Sequence, residues 1–145
     1  MRTVIKMVVL VLAISYCTAS FAQPRTYKDG SAWQVSLIKT ETGQGDAYLN
    51  SLKTTWKAVM DEAKSQGLIL SYKILSGASA NPDDWDILLM VEYKNLAAME
   101  GNEDKWDAIQ AKVVGNEDSQ NKLRDSRVKM RTIYGGKMLR EVVYK

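Results

Sequence analysis

Two apolar periodicities alternate along this chain, and their order limits the available folds more than any other feature. Trp33, Val35 and Leu37 alternate with Gln34, Ser36 and Ile38, the pattern of a strand. A turn carrying Gly43 and Gly45 follows, with Asp46 as the expected N-cap. Leu49, Leu52, Trp56, Val59, Met60 and Ala63 then recur at intervals of three and four, which predicts one helix ending at Gly67. A second strand is expected over residues 68–76, with Leu68, Leu70, Tyr72 and Ile74 on one side. The small and polar residues 77–84 read as a turn. A third strand is expected over residues 86–93, with Ile87, Leu89, Val91 and Tyr93 on one side.

Helical pieces are expected next, over residues 96–100, 103–114 and 117 to about 134. They are punctuated by a local echo, Gly101-Asn102-Glu103-Asp104 and Gly115-Asn116-Glu117-Asp118. The echo lacks the alternating oxygen ligands and distal glutamate of a calcium loop. Its residues instead suit helix boundaries: Gly ends one helix, Asn caps the next, and the acids sit at the positive end of the dipole. Gly135-Gly136 is read as the last helix stop, and residues 137–144 alternate as a final strand. The sum is an α+β chain of ferredoxin-like β-α-β-β-α-β type. It has a four-stranded antiparallel sheet and a second crossover made of two to three short helices. Right-handed crossovers place the helices on one face. The opposite face is expected to carry Ile38, Ile69, Leu75, Leu88 and Met90 among Ser36, Ser71, Lys73, Asp86 and Glu92. That is too apolar for water alone, so a homodimer built sheet to sheet is expected.

Ahead of this domain lies a different kind of segment. Arg2 and Lys6 precede an apolar run from Met7 to Tyr16, and Ser20-Phe21-Ala22 forms a small-residue end. Residues 1–22 therefore read as a signal peptide cleaved after Ala22, since the run falls short of the roughly 20 residues of a membrane span. Tyr16 is too bulky to precede a lipid-modified Cys17. Residues 23–31 are polar and aperiodic and read as a flexible leader, leaving residues 32–145 as the domain. The expected address is export, periplasmic or secreted.

Cleavage changes the charge that matters. The leader holds two of the 20 basic residues and none of the 17 acidic ones, so the mature chain has 18 against 17, a net +1. The pI of about 8.9 belongs to the uncut chain. No nucleic-acid partner is expected at such a charge, and no membrane partner after cleavage. Cys17 leaves with the leader, and His is absent throughout. Disulfides, thiol nucleophiles, histidine-ligated haem, histidine zinc sites and Ser-His-Asp chemistry are thereby excluded in their usual forms. Neither a metal nor a cofactor is expected.

The order of elements, the opening WQVSLIKT with LNSLKTTWKAVMDEAK, and the ending YGGKMLREVVYK together resemble the dimeric α+β barrel superfamily, over residues 33–145. Within it the chain looks most like small, uncharacterised exported members. The resemblance implies two domains closing their sheets into a barrel, with a pocket in each protomer between sheet and helices. Members include cofactor-free monooxygenases acting on aromatic substrates, haem-degrading enzymes, lactone isomerases and proteins without known activity. The haem-degrading members rely on a histidine that this chain lacks.

Trp33, Trp56, Tyr72 and Trp106 fall on the inward faces expected for their elements. They either fill the core or line a pocket for a flat apolar ligand. Arg124, Arg127 and Arg131 share a helical stripe, read as a solvated face suited to the helix dipole rather than as a grip on an anion. Asp83, Asp84 and Asp86 cluster around Trp85. The first two follow Asn81-Pro82 and read as turn chemistry, which leaves Asp86 as the acid/base candidate. The leading functional expectation is an exported homodimer binding a small apolar or aromatic molecule. A cofactor-independent monooxygenase or isomerase, and a structural partner protein, are the alternatives.

Overall fold

The structure, a computed structural model, describes residues 25–145. The signal peptide read over residues 1–22, its cleavage site and Cys17 lie outside the described residues. The main body runs from Asp29 to Val143; the strand ends on either side of it form a separate unit, in which Lys145 N donates to Thr26 O at 3.0 Å.

The strands are β1 (Tyr27–Thr40), β2 (Ser71–Ser76), β3 (Ile87–Tyr93) and β4 (Arg131–Tyr144). They form one sheet in the order β2-β3-β1-β4. β3 runs antiparallel to both β1 and β2. Contacts of Ser31 with Glu141 and of Glu41 with Met130 show β4 antiparallel to β1 as well. The first crossover carries α1 (Gly45–Thr54) and α2 (Trp56–Ser65). The second carries a short 3₁₀ turn (Leu96–Met99), α3 (Glu103–Val113) and α4 (Glu117–Val128). This is the ferredoxin-like plan expected from the sequence.

The core lies between sheet and helices. One cluster joins Val59, Met60 and Ala63 of α2 and Ile109 of α3 to Ala32, Val91 and Tyr93 of the sheet. A second joins Tyr48 and Leu52 of α1 to Ile38, Ile87 and Leu89, and Trp56 packs against both clusters.

Several boundaries differ from the sequence reading. The helix expected to run unbroken to Gly67 is interrupted at Thr55, whose backbone leaves the helical region (φ −125°, ψ −79°). The hydroxyls of Thr54 and Thr55 both donate to Ser51 O, an alternative to the helix ladder that β-branched Thr offers. The N-terminus of α1 is capped at Gln44 and Asp46 lies inside the first turn. The leader read over residues 23–31 is strand from Tyr27 onward. Tyr93 pairs with Ala32, so Asp29–Ser31 extend beyond β3 and take β4 as their partner. Ser31 donates to the Glu141 carboxylate from N (3.4 Å) and Oγ (3.3 Å), and Arg140 pairs with Asp29 at 3.1 Å. Nothing in the local pattern QPRTYKDGS announces a strand that depends on a partner more than 100 residues away. β4 likewise begins at Arg131 rather than Lys137, and Gly135-Gly136 lies within it instead of ending a helix. Gly136 suits that position, because a Cβ would stand 3.2 Å from the Val35 carbonyl oxygen, a tight contact that glycine avoids.

The faces of β1 are also exchanged relative to the reading. Ala32, Gln34, Ser36 and Ile38 pair with Tyr93, Val91, Leu89 and Ile87 and look toward the helices. Trp33, Val35 and Leu37 pair with Glu92, Met90 and Leu88 on the opposite face, where Lys73 Nζ sits 5.5 Å from the centre of the Trp33 ring. Ile69 precedes β2 and turns into the core, only 3% exposed, because the pleat begins two residues later. The echo behaves as punctuation. Gly101 and Gly115 have positive φ (68° and 106°), and Asn116 accepts from Ser119 N at 3.1 Å. Asn102 occupies the matching position, but its side chain instead donates to the Ala98 and Glu100 carbonyls.

The exchange of faces makes Ile38, 1% exposed, a core residue. Ile38→Ala is expected to lower the unfolding free energy by about 2–5 kcal/mol in urea titration, the usual cost of emptying a well-packed site.

Candidate functional site

Between sheet and helices the core is incomplete, and the gap is a cleft of about 390 Å³. Its floor comes from alternate residues of the two central strands, Gln34 and Ser36 of β1 with Leu89, Val91 and Tyr93 of β3. One wall is Trp56 and Met60 of α2. The other is Trp106 and Gln110 of α3, and Met99 of the 3₁₀ turn closes one end. The interruption at Thr55 starts α2 afresh at Trp56, the residue that lines this cleft. Behind it Tyr72 packs edge-on against the indole (5.5 Å between centroids, 87° between planes). The Tyr72 hydroxyl donates to Asp61, which also pairs with Lys57 at 2.7 Å. The hydrogen bonds from Lys57 and Tyr72 hold the Asp61 carboxyl below its ordinary pKa.

Polar groups are few and placed. Tyr93 donates its phenol to Gln34 Oε1 at 3.2 Å, and burial raises that phenol above its ordinary pKa. Gln34, Ser36 and Gln110 add amide and hydroxyl groups to a lining otherwise made of aromatic, aliphatic and methionine side chains. Such a site holds and orients an apolar body through a few directed hydrogen bonds.

Of the four aromatics singled out from the sequence, Trp56 and Trp106 line this cleft together. Tyr72 supports Trp56 from behind, and Trp33 stands on the opposite face of the sheet. Asp86 lies away from the cleft, beside the last residues of β1. Its Oδ1 accepts from Thr40 N at 2.9 Å and its Oδ2 from the Thr40 hydroxyl, while its own N donates to Ile38 O at 3.0 Å. The carboxylate thus pins the end of one strand to the start of another. Asp84 accepts from Ala80 N (2.8 Å) and Trp85 N (2.9 Å), and Asp83 N donates to Asn81 Oδ1 at 2.9 Å, which is turn chemistry as expected.

The arginine stripe is not a solvated helical face. Arg131 belongs to β4, with its guanidinium 5.4 Å from the centre of the buried Tyr48 ring. Arg127 reaches inward to Ser51 and Thr55, and Arg124 remains exposed beside Asn121. Gln34, Ser36, Met60, Tyr93, Met99 and Gln110 escaped the sequence reading. The available signal was the pair of polar residues between Ala32 and Ile38, which on a helix-covered strand face should have been apolar.

No protein-family model and no curated protein matches the sequence. Among solved structures, HapK from Hahella chejuensis is similar with a TM-score of 0.49 and 12% identity, over 76% of this chain and 91% of that one. A dimeric ferredoxin-like protein from an uncultured marine organism has a TM-score of 0.45 and 15% identity, over 81% and 90%. The strand order and register described above define the chain as a ferredoxin-like α+β protein in their own right.

Asp86→Ala is expected to destabilise the fold by about 1.5–3 kcal/mol, the range for losing charge-assisted hydrogen bonds, measured by urea unfolding. Occupancy of the cleft by an apolar probe should be unchanged in the folded variant.

Proposed function

We propose that the protein is exported and acts as a homodimer that binds a small apolar or aromatic molecule in the cleft between Trp56 and Trp106. The observation that carries this reading is the amphipathic floor. Gln34 and Ser36 occupy helix-facing positions on a central strand, where burial under helices favours apolar side chains, and Tyr93 donates to one of them. Gln34 is exposed at the cleft floor and Ser36 half-buried, so both are open to a ligand that completes their hydrogen bonds. The export arm of the reading rests on the charged, apolar and small-residue order of residues 1–22.

The dimer arm rests on the far face of the sheet. Trp33, Leu37, Leu88 and Met90, half-buried in the single chain, form its middle around the buried Val35, and Leu75 is 48% exposed beside them. A second copy placing the same face against it covers this surface by a two-fold axis. Each protomer then retains its own cleft on the helix side. Binding is favoured over catalysis by the character of the lining, whose polar groups are two amides, a hydroxyl and a protonated phenol.

Calorimetric titration with naphthol, a flat and largely apolar probe, tests the reading. Saturable binding is expected, weakened about tenfold or more in Trp56→Ala and Trp106→Ala, since each indole contributes on the order of 1.5 kcal/mol of buried contact. Trp33→Ala should leave the affinity unchanged. Binding indifferent to both cleft tryptophans, or none at all, would overturn the cleft as the site. Oxidation of the probe in air by the protein, abolished in the same two variants, would replace the binding reading with the cofactor-independent monooxygenase.

A further inference from the structure

A second cavity shares the Gln110 wall with the cleft and adds three arginines to it. It measures about 280 Å³ and is lined by Arg124 and Arg127 of α4 and Arg131 of β4, together with Gln110, Gln120 and Leu123. Between the two lies a narrow crevice of about 50 Å³. The walls are shared. Trp56 and Gln110 line both cleft and crevice, and Gln110, Val114, Leu123 and Arg127 line both crevice and arginine cavity. The three cavities thus share walls in series, from Trp56 through Gln110 to Arg127.

These cations lack counter-charges. Among the described residues the ion pairs are Lys57–Asp61, Lys112–Glu62 and Arg140–Asp29, and none involves the three arginines. No carboxylate lines the cavity. Arg127 donates to two hydroxyls, Ser51 Oγ at 3.4 Å and Thr55 Oγ1, which leaves further N–H donors of its five unassigned. Arg131 Nε is buried without a hydrogen-bond partner among the described residues. The packed neighbour that titrates, Tyr48, is held neutral because burial outweighs the pull of the two arginines and raises its pKa. Burial also lowers the pKa of Arg127, the mark of a cation removed from water without a compensating anion. The interruption of the helix at Thr55 serves both compartments at once, placing Trp56 in the cleft and the Thr55 hydroxyl against Arg127.

We propose that the ligand is an amphipathic carboxylate. Its aromatic or apolar head lies between Trp56 and Trp106, a methylene chain passes Gln110, and its carboxylate is held by Arg127 and Arg131, with Arg124 at the mouth. Guanidinium forks match a carboxylate in shape and charge, and the narrow crevice takes a chain but not a second ring. This deepens the cleft reading and rests on it.

The test compares two probes that differ in charge, phenylhexanoate and phenylhexanol, by calorimetric titration of the purified protein. The carboxylate is expected to bind roughly tenfold or more tightly than the alcohol, a preference that shrinks as salt is raised. Arg127→Gln and Arg131→Met should remove the preference, bringing the ratio of the two affinities close to one. Arg124→Gln, at an exposed position that leaves the packing intact, should reduce it in part, and Arg127→Lys should restore part of what Arg127→Gln loses. Equal binding of both probes, unchanged in the arginine variants, would overturn the carboxylate assignment while leaving the apolar cleft standing. Binding of neither probe would overturn the cleft reading, and this inference with it.

Discussion

The pairing of β1 with β3 on one side and β4 on the other is the interaction on which the rest of this molecule depends. It fixes which residues of β1 meet the helices, and the pleat allows no compromise, because a shift by one residue exchanges the faces completely. In the observed register Ala32 and Ile38 close the two ends of the core, and Gln34 and Ser36 fall between them, under the helices. The cleft is the direct consequence. The short side chain of Ser36 and the exposed Gln34 in mid-strand leave space that Leu89, Val91 and the two indoles line without filling. The same register sends Trp33, Val35 and Leu37 to the far side, where the proposed partner copy would lie.

Much of the fold was legible because it is written in local periodicity. The alternation in β3 and the glycines before Asn102 and Asn116 each mark an element without outside help, and the three-and-four spacing from Leu49 to Ala63 marks helix though not its break at Thr55. What escaped depends on partners remote in sequence. Residues 29–31 are strand with β4 beside them, and β4 runs back to Arg131 through Gly136, which passes close to the Val35 carbonyl of β1. The face assignment of β1 was ambiguous for a related reason. Trp33, Val35 and Leu37 make the more apolar set, and hydrophobicity alone directs that set to the core; here the helices cover the face of Ala32, Gln34, Ser36 and Ile38 instead.

The candidate site was legible in part. Trp56 and Trp106 were marked by helical spacing, whereas Trp33 was misplaced with its strand and Tyr72 proved a support for Trp56. Asp86 drew notice as a carboxylate inside a strand, and both its oxygens are engaged by Thr40. The arginines were read as a helical stripe because the pattern continued through Arg131; the chain leaves the helix at Val128, and that turn converts a surface stripe into a lined cavity. Polar interruption of an apolar face, at Gln34 and Ser36, was the one signal in the sequence that pointed to the floor of the site.

Native mass spectrometry of the protein isolated from cells without denaturation tests the central claim most directly, since it reads assembly and occupancy in one spectrum. The account predicts a dimer that carries small-molecule mass, lost on gentle activation and absent from Trp56→Ala. A monomer with no added mass at micromolar protein concentration would contradict both the sheet-to-sheet pairing and the cleft as a binding site.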